Sequence, residues 1–168
     1  MSEKDLTLVD AIQIAMEAEK KAAALYRGAA ETARFGTLKR LFAGLADFEQ
    51  HHYSKLTELA DSLRKAGMYI VYEAPGVSIP AQSEIEVPQG AVQVLDGKEM
   101  SLMGVLTLAQ DVEKQADKRY AALAEQTSDP DGKAMFLQLA KEEQAHLKVL
   151  TGMYFDLNDR GVVSWPEL

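Results

Sequence analysis

The chain contains no cysteine. Disulfides, thiolate-bound zinc, iron–sulfur clusters and a rubredoxin-type centre within the chain are thereby excluded. Positive charge is also scarce: 18 Lys and Arg stand against 26 Asp and Glu, a formal charge of −8. Nucleic acid needs a basic face and is not expected as a partner, whereas attraction of metal cations is compatible with this balance. No run approaches the roughly 18 apolar residues that a bilayer span requires. The opening Met1-Ser2-Glu3-Lys4-Asp5 leads into an amphipathic pattern and not into an apolar signal core. No membrane association and a cytoplasmic location are the resulting expectations. Of the five prolines, three (Pro75, Pro80 and Pro88) fall in one interval, so the rest of the chain is free of proline over long stretches. With 168 residues, 47% of them hydrophobic, a single folded domain over 1–168 is expected.

Four helical patterns occupy the proline-free stretches. Apolar or small residues recur three and four apart at Leu8, Ile12, Ala15, Ala22, Tyr26, Ala29 and Ala33, and again at Leu38, Phe42, Leu45, Leu56, Leu59 and Leu63. A third pattern reads Leu102, Leu106, Ala109, Ala116, Tyr120 and Leu123, and a fourth Phe136, Leu139, Leu150 and Met153. Gly36 separates the first two, and Ser128-Asp129-Pro130-Asp131-Gly132 the last two. The expectation is two helical hairpins, about 6–66 and 101–155, joined by a crossover over about 67–100. The crossover carries β-prone runs at 69–72 and 91–95, and its length suits a return along a bundle. A helix of about 28 residues is roughly 42 Å long at 1.5 Å per residue. Residues 156–168, with Asn158, Gly161 and Pro166, read as an irregular tail.

The two hairpins repeat one another at an offset of 94 residues. Glu19/Glu113, Tyr26/Tyr120, Phe42/Phe136, Leu45/Leu139, Glu49/Glu143, His52/His146 and Leu56/Leu150 are among the identities. The repeat duplicates a chemical unit: Glu49-x-x-His52 and Glu143-x-x-His146, each preceded 30 residues upstream by a glutamate, Glu19 or Glu113. A single Glu-x-x-His on a helix is most simply a solvated face. Here every one of the six residues sits in a slot of an apolar stripe. In each hairpin the two glutamates are also equidistant from the turn, and so level with one another. Four buried carboxylates without cations would be prohibitively costly, and two divalent ions bring the +4 that balances them. Carboxylate and imidazole donors together suit iron or manganese and accept zinc in vitro. The geometry assigns Glu49 and Glu143 as bridges between two ions, Glu19 and Glu113 as terminal carboxylates, and His52 and His146 as one cap each. Tyr26 and Tyr120 are placed to hydrogen-bond carboxylates of a facing helix, though both also fit as core residues with satisfied hydroxyls. His51 falls off the stripe and is expected at the surface. The methionines, Met16, Met103 and Met135 among them, read as core filler, and Trp165 as a packing or interface residue.

With these motifs in hand, the sequence resembles the rubrerythrin/ferritin-like di-iron proteins. The matching segments are Ala15-Met-Glu-Ala-Glu19…Tyr26, Leu45-Ala-Asp-Phe-Glu49-Gln-His-His52, Glu113…Tyr120 and Leu139-Ala-Lys-Glu-Glu143-Gln-Ala-His146. The resemblance implies an all-α ferritin-like four-helix bundle and a non-haem centre of two iron ions per chain. Its implied chemistry is a reaction with hydrogen peroxide or dioxygen, as a peroxidase or ferroxidase; iron sequestration without turnover is the alternative. It also implies a homodimer or higher homo-oligomer. Two departures stand out. Peroxide-reducing rubrerythrins typically carry a further glutamate three residues after the third-helix ligand, where this chain has Ala116. The lack of cysteine removes the usual rubredoxin donor, so a separate electron-donor protein is implied. The six-ligand pattern is closer to that of bacterioferritin.

Overall fold

The computed structural model describes residues 8–75, 82–95 and 97–165, by backbone alone at 82–85 and 163–165. Four long helices dominate it: α1 (Leu8–Thr32), α2 (Gly36–Ala66), α3 (Leu102–Gln126) and α4 (Pro130–Arg160). Four short strands accompany them: β1 (Gln82–Glu86), β2 (Val92–Leu95), β3 (Lys98–Ser101) and β4 (Val162–Trp165). The fold is thus the all-α bundle that the resemblance implied. No helix among the described residues is long and apolar enough to cross a membrane.

Local chemistry sets the helix limits. At the start of α4, Asp129 Oδ1 accepts from the amides of Asp131 and Gly132 at 3.0 Å each, and Pro130 occupies a first-turn position where its missing N–H costs nothing. Ser101 Oγ caps α3 by accepting from Gly104 N at 3.1 Å. Gly67 and Gly161, both at φ +64°, end α2 and α4 in the left-handed conformation that a side chain disfavours.

α4 therefore runs through 156–160, where an irregular tail was expected. Asn158 lowers helix propensity by only a few tenths of a kcal/mol, too little to end a helix that an Asp156–Arg160 pair at 3.0 Å also supports. The segment beyond it is ordered as β4, which pairs antiparallel with β1. Of the two β-prone runs in the crossover, 92–95 forms β2 and pairs with β3, Val92 opposite Ser101 through Leu95 opposite Lys98. The run 69–72 joins no sheet among the described residues; Tyr69, Ile70 and Tyr72 pack against the bundle as an extended strap. Their apolar bodies find cover on the helices, which a strand lacking a pairing partner could not supply. Pro166 lies outside the described residues, as does the Trp165 side chain.

The core divides into two apolar clusters. One holds Ala22, Tyr26, Ala29, Leu38, Phe42, Leu45, Leu106, Ala109, Leu150 and Met153. The other holds Ile12, Ala15, Leu56, Leu59, Ala116, Tyr120, Leu123, Phe136 and Leu139. Each helix contributes its first half to one cluster and its second half to the other. Between the two lies a layer to which every helix brings at least one ionisable residue.

The strap packs against the bundle at Gly132, where a Cβ would collide with the Tyr69 ring and crowd Thr127 Cγ2. A glycine-to-alanine change within a helix ordinarily stabilises by up to about 1 kcal/mol, but overpacking a filled site costs about 1–3 kcal/mol. Gly132→Ala is expected to destabilise by about 1–2 kcal/mol in urea unfolding. A stabilised variant would mean that the strap does not press on this turn.

Candidate metal centre

The middle layer contains Glu19 from α1, Glu49 and His52 from α2, Glu113 from α3, and Glu143 and His146 from α4, each at most 1% exposed. The i,i+3 spacing of Glu49/His52 and Glu143/His146 stacks each pair on one helix face. All six sequence candidates meet in two overlapping groups. Glu19, Glu49, His52 and Glu143 offer donor atoms within 4.8 Å of one another, and so do Glu49, Glu113, Glu143 and His146. Glu49 and Glu143 belong to both groups; the other four belong to one each.

Both imidazoles turn Nδ1 inward. His52 Nδ1 lies 3.0 Å from Glu143 Oε1, 3.3 Å from Glu49 Oε2 and 3.7 Å from Glu19 Oε2. His146 Nδ1 lies 3.3 Å from Glu143 Oε2 and 3.5 Å from Glu113 Oε2. The rings stack with centroids 6.3 Å apart. Five buried atoms in this layer make no hydrogen bond of acceptable geometry: Glu19 Oε2, Glu49 Oε2, His52 Nδ1, Glu113 Oε2 and Glu143 Oε1. Buried polar atoms are rarely left so, because each forfeits its hydration. Converging orphaned donors, four of them carboxylate oxygens, fit a pair of divalent cations.

The tyrosines fix the terminal carboxylates across the bundle. Tyr26 of α1 donates its hydroxyl to Glu113 Oε1 of α3, and Tyr120 of α3 donates to Glu19 Oε1 of α1 at 2.5 Å. Each hydroxyl holds one carboxylate oxygen and leaves the other turned inward. Burial, then the neighbouring glutamate charges, raise both phenols well above their ordinary value, so they stay protonated donors.

Several neighbours were not evident from the sequence. Glu142 lies behind His52, with Oε2 2.9 Å from His52 Nε2. It also accepts from the Tyr72 hydroxyl at 2.8 Å and from Gln138 Nε2 at 2.9 Å. Its counterpart in the other repeat is Phe48, so the duplicated pattern carries no sign of it. Tyr72 comes from the crossover, whose path periodicity does not reveal. His51, expected at the surface, is half-buried: its Nε2 is 3.0 Å from Glu73 O and its ring meets Tyr72 edge-on, so it anchors the strap. Arg119 Nη1 is 3.7 Å from Glu19 Oε1.

A cavity of about 320 Å³ opens between α1 and α3 and is lined by Glu19, Glu49, Leu25, Val112, Ala116 and Arg119, among others. It reaches the carboxylates where Ala116 leaves room. A larger space of about 530 Å³, by Pro88–Ala91 and Leu157, touches none of the six residues and has no bearing on them.

The rubrerythrin pattern matches residues 2–87 and 104–164. The chain belongs to the rubrerythrin family. Its fold is similar to that of a solved hypothetical protein from Pyrococcus furiosus, at 22% identity and a TM-score of 0.68 over 94% of each chain. No curated protein matches this rubrerythrin.

Protonation answers the crowding of charge when no cation is present. Burial, opposed by His146, lifts Glu113 to about 7, and burial with the Glu143 charge lifts Glu49 well above the carboxylate range. Burial disfavours the imidazolium, yet the Glu113 and Glu143 carboxylates beside its Nδ1 outweigh it and raise His146 to about 9; His52 is raised likewise, led by the Glu143 charge. Glu143 moves the other way, because the His52 charge overcomes its burial. The raised groups hold protons more tightly in the native chain than in the unfolded one. Their stabilisation is lost as pH rises from 4.5 to about 7 for Glu113 and from 6.5 to about 9 for His146. The Tm of metal-free protein is therefore expected to fall between about pH 6 and pH 9, and zinc loading to remove most of that slope. Parallel profiles with and without zinc would contradict this.

Proposed function

We propose that this rubrerythrin is a non-haem di-iron oxidoreductase acting on hydrogen peroxide or dioxygen. The observation that carries the reading is the pair of buried donor groups sharing Glu49 and Glu143. Glu19 with His52 would hold one ion and Glu113 with His146 the other, with the two shared carboxylates between them. Two bound Fe(II) ions would supply the two electrons that, with two protons, take hydrogen peroxide to two waters, or that take dioxygen to peroxide.

The chain's own residues orient and enclose. Tyr26 and Tyr120 hold the outer oxygens of Glu113 and Glu19, so each carboxylate presents its inner oxygen in one orientation. The apolar clusters above and below exclude bulk water and strengthen every electrostatic contact in the layer. The α1–α3 cavity gives a small oxidant a route to Glu19 and Glu49. Since the chain lacks cysteine, reducing equivalents would come from a separate protein. Assembly as a homodimer or larger, and a cytoplasmic setting, accompany this reading.

Ala116 favours a second reading, iron sequestration without turnover, because the cavity lacks the extra carboxylate typical of the peroxide-reducing members. Anaerobic Fe(II) loading followed by stopped-flow mixing separates the two. Rapid oxidation by peroxide or dioxygen, sustained over many cycles by an added reductant, is expected. A single slow oxidation that leaves ferric iron bound would establish sequestration instead.

Glu49→Ala and Glu143→Ala are each expected to abolish binding of two ions per chain. Elemental analysis after gel filtration checks this. Two tightly held ions in either variant would overturn the bridging assignment.

A further inference from the structure

The internal repeat makes a comparison possible that a single hairpin would not. Residues 48 and 142 are counterparts at the 94-residue offset, each immediately before a shared carboxylate, yet one is Phe and the other Glu. Each faces the histidine of the opposite hairpin. Glu142 Oε2 lies 2.9 Å from His52 Nε2, while the Phe48 ring meets His146 edge-on with centroids 4.7 Å apart.

These contacts do different things to an imidazole whose Nδ1 must offer a lone pair to a cation. Nε2 then carries the proton. At His52 that proton is donated to a carboxylate, which fixes tautomer and ring plane and makes Nδ1 the stronger donor. The carboxylate is itself clamped: Tyr72 and Gln138 also donate to Glu142, at 2.8 and 2.9 Å. At His146 the phenyl ring packs against the imidazole and offers no lone pair comparable to a carboxylate's. A charge of opposite effect sits on the Glu19 side, where Arg119 disfavours a nearby cation. It is the weaker influence, at 3.7 Å and 24% exposed against 2.9 Å and 11% for Glu142.

Resting on the two-ion reading above, we propose that the two metal positions are unequal by construction. Glu142, held by the Tyr72 strap, makes the position at Glu19, Glu49, His52 and Glu143 the tight, first-filled one; the Phe48-backed position at Glu113 and His146 fills second and exchanges more readily. Glu142 and Tyr72 are positioning residues that act through His52. The crossover thus has a task beyond connecting the hairpins: it carries the hydroxyl that steadies one half of the centre.

The test is anaerobic titration of metal-free protein with Co(II), followed by its visible absorption and by native mass spectrometry. Wild type is expected to load in two steps, the first at least tenfold tighter. Glu142→Gln keeps the size and an acceptor oxygen but removes the charge. It should weaken the first step roughly 10- to 100-fold, alter that step's absorption band, and leave the second within about twofold. Tyr72→Phe should weaken the same step to a smaller extent. Metal-free melting temperatures serve as the folding control for both variants. Two ions loading in indistinguishable steps, or Glu142→Gln weakening both steps alike, would overturn the inequality while leaving the two-ion reading intact. Failure of wild type to take up two ions would overturn both.

Discussion

Six ionisable side chains lie in the middle of an otherwise apolar bundle, and the charge of four carboxylates there has to be met. Burying one unpaired carboxylate costs several kcal/mol, so the layer is tolerable only with protons or cations among its oxygens. Raised affinities of Glu49, Glu113 and both histidines for protons are the metal-free answer. Divalent cations would be the other, and they would employ the five inward atoms that find no hydrogen bond.

Much of the remaining architecture serves that layer. The two apolar clusters close it above and below, and supply the burial that holds four helices together despite a polar centre. The tyrosines tie α1 to α3 in both directions, each stabilising the carboxylate contributed by the opposite hairpin. The strap at 69–75 lies over the His52 side, anchored by His51, Tyr72 and the close approach of Tyr69 to Gly132. Duplication gave the centre an approximate two-fold frame. Phe48 and Glu142 break that symmetry, the one packed against His146 and the other paired with His52.

The sequence made the helical frame and the convergence of the six donors legible because both rest on periodicity. Glu19, Glu49, His52, Glu113, Glu143 and His146 each interrupt an apolar stripe, and the repeat places them level. Tyr26 and Tyr120 were legible for the same reason. Glu142 was not, since it lies one position off the stripe and its counterpart in the other hairpin is aromatic. Tyr72, His51 and Arg119 depend on how non-repeated or outward-turned segments pack, which spacing along one helix does not encode. The extension of α4 to Arg160 is not legible, because Asn158 has turn character in the sequence while the geometry that ends the helix belongs to Gly161, at φ +64°. The run at 69–72 has strand-like composition but meets no strand edge among the described residues; its aromatic rings find cover on the bundle instead.

The most direct test of the account is anomalous diffraction at the iron edge from crystals loaded anaerobically with Fe(II). The account predicts two peaks per chain about 3.5–4 Å apart, as in other two-metal sites. Glu49 and Glu143 should touch both, and His52 and His146 one each through Nδ1. A single peak, or iron bound anywhere outside these six residues with the middle layer left to protons, would contradict it.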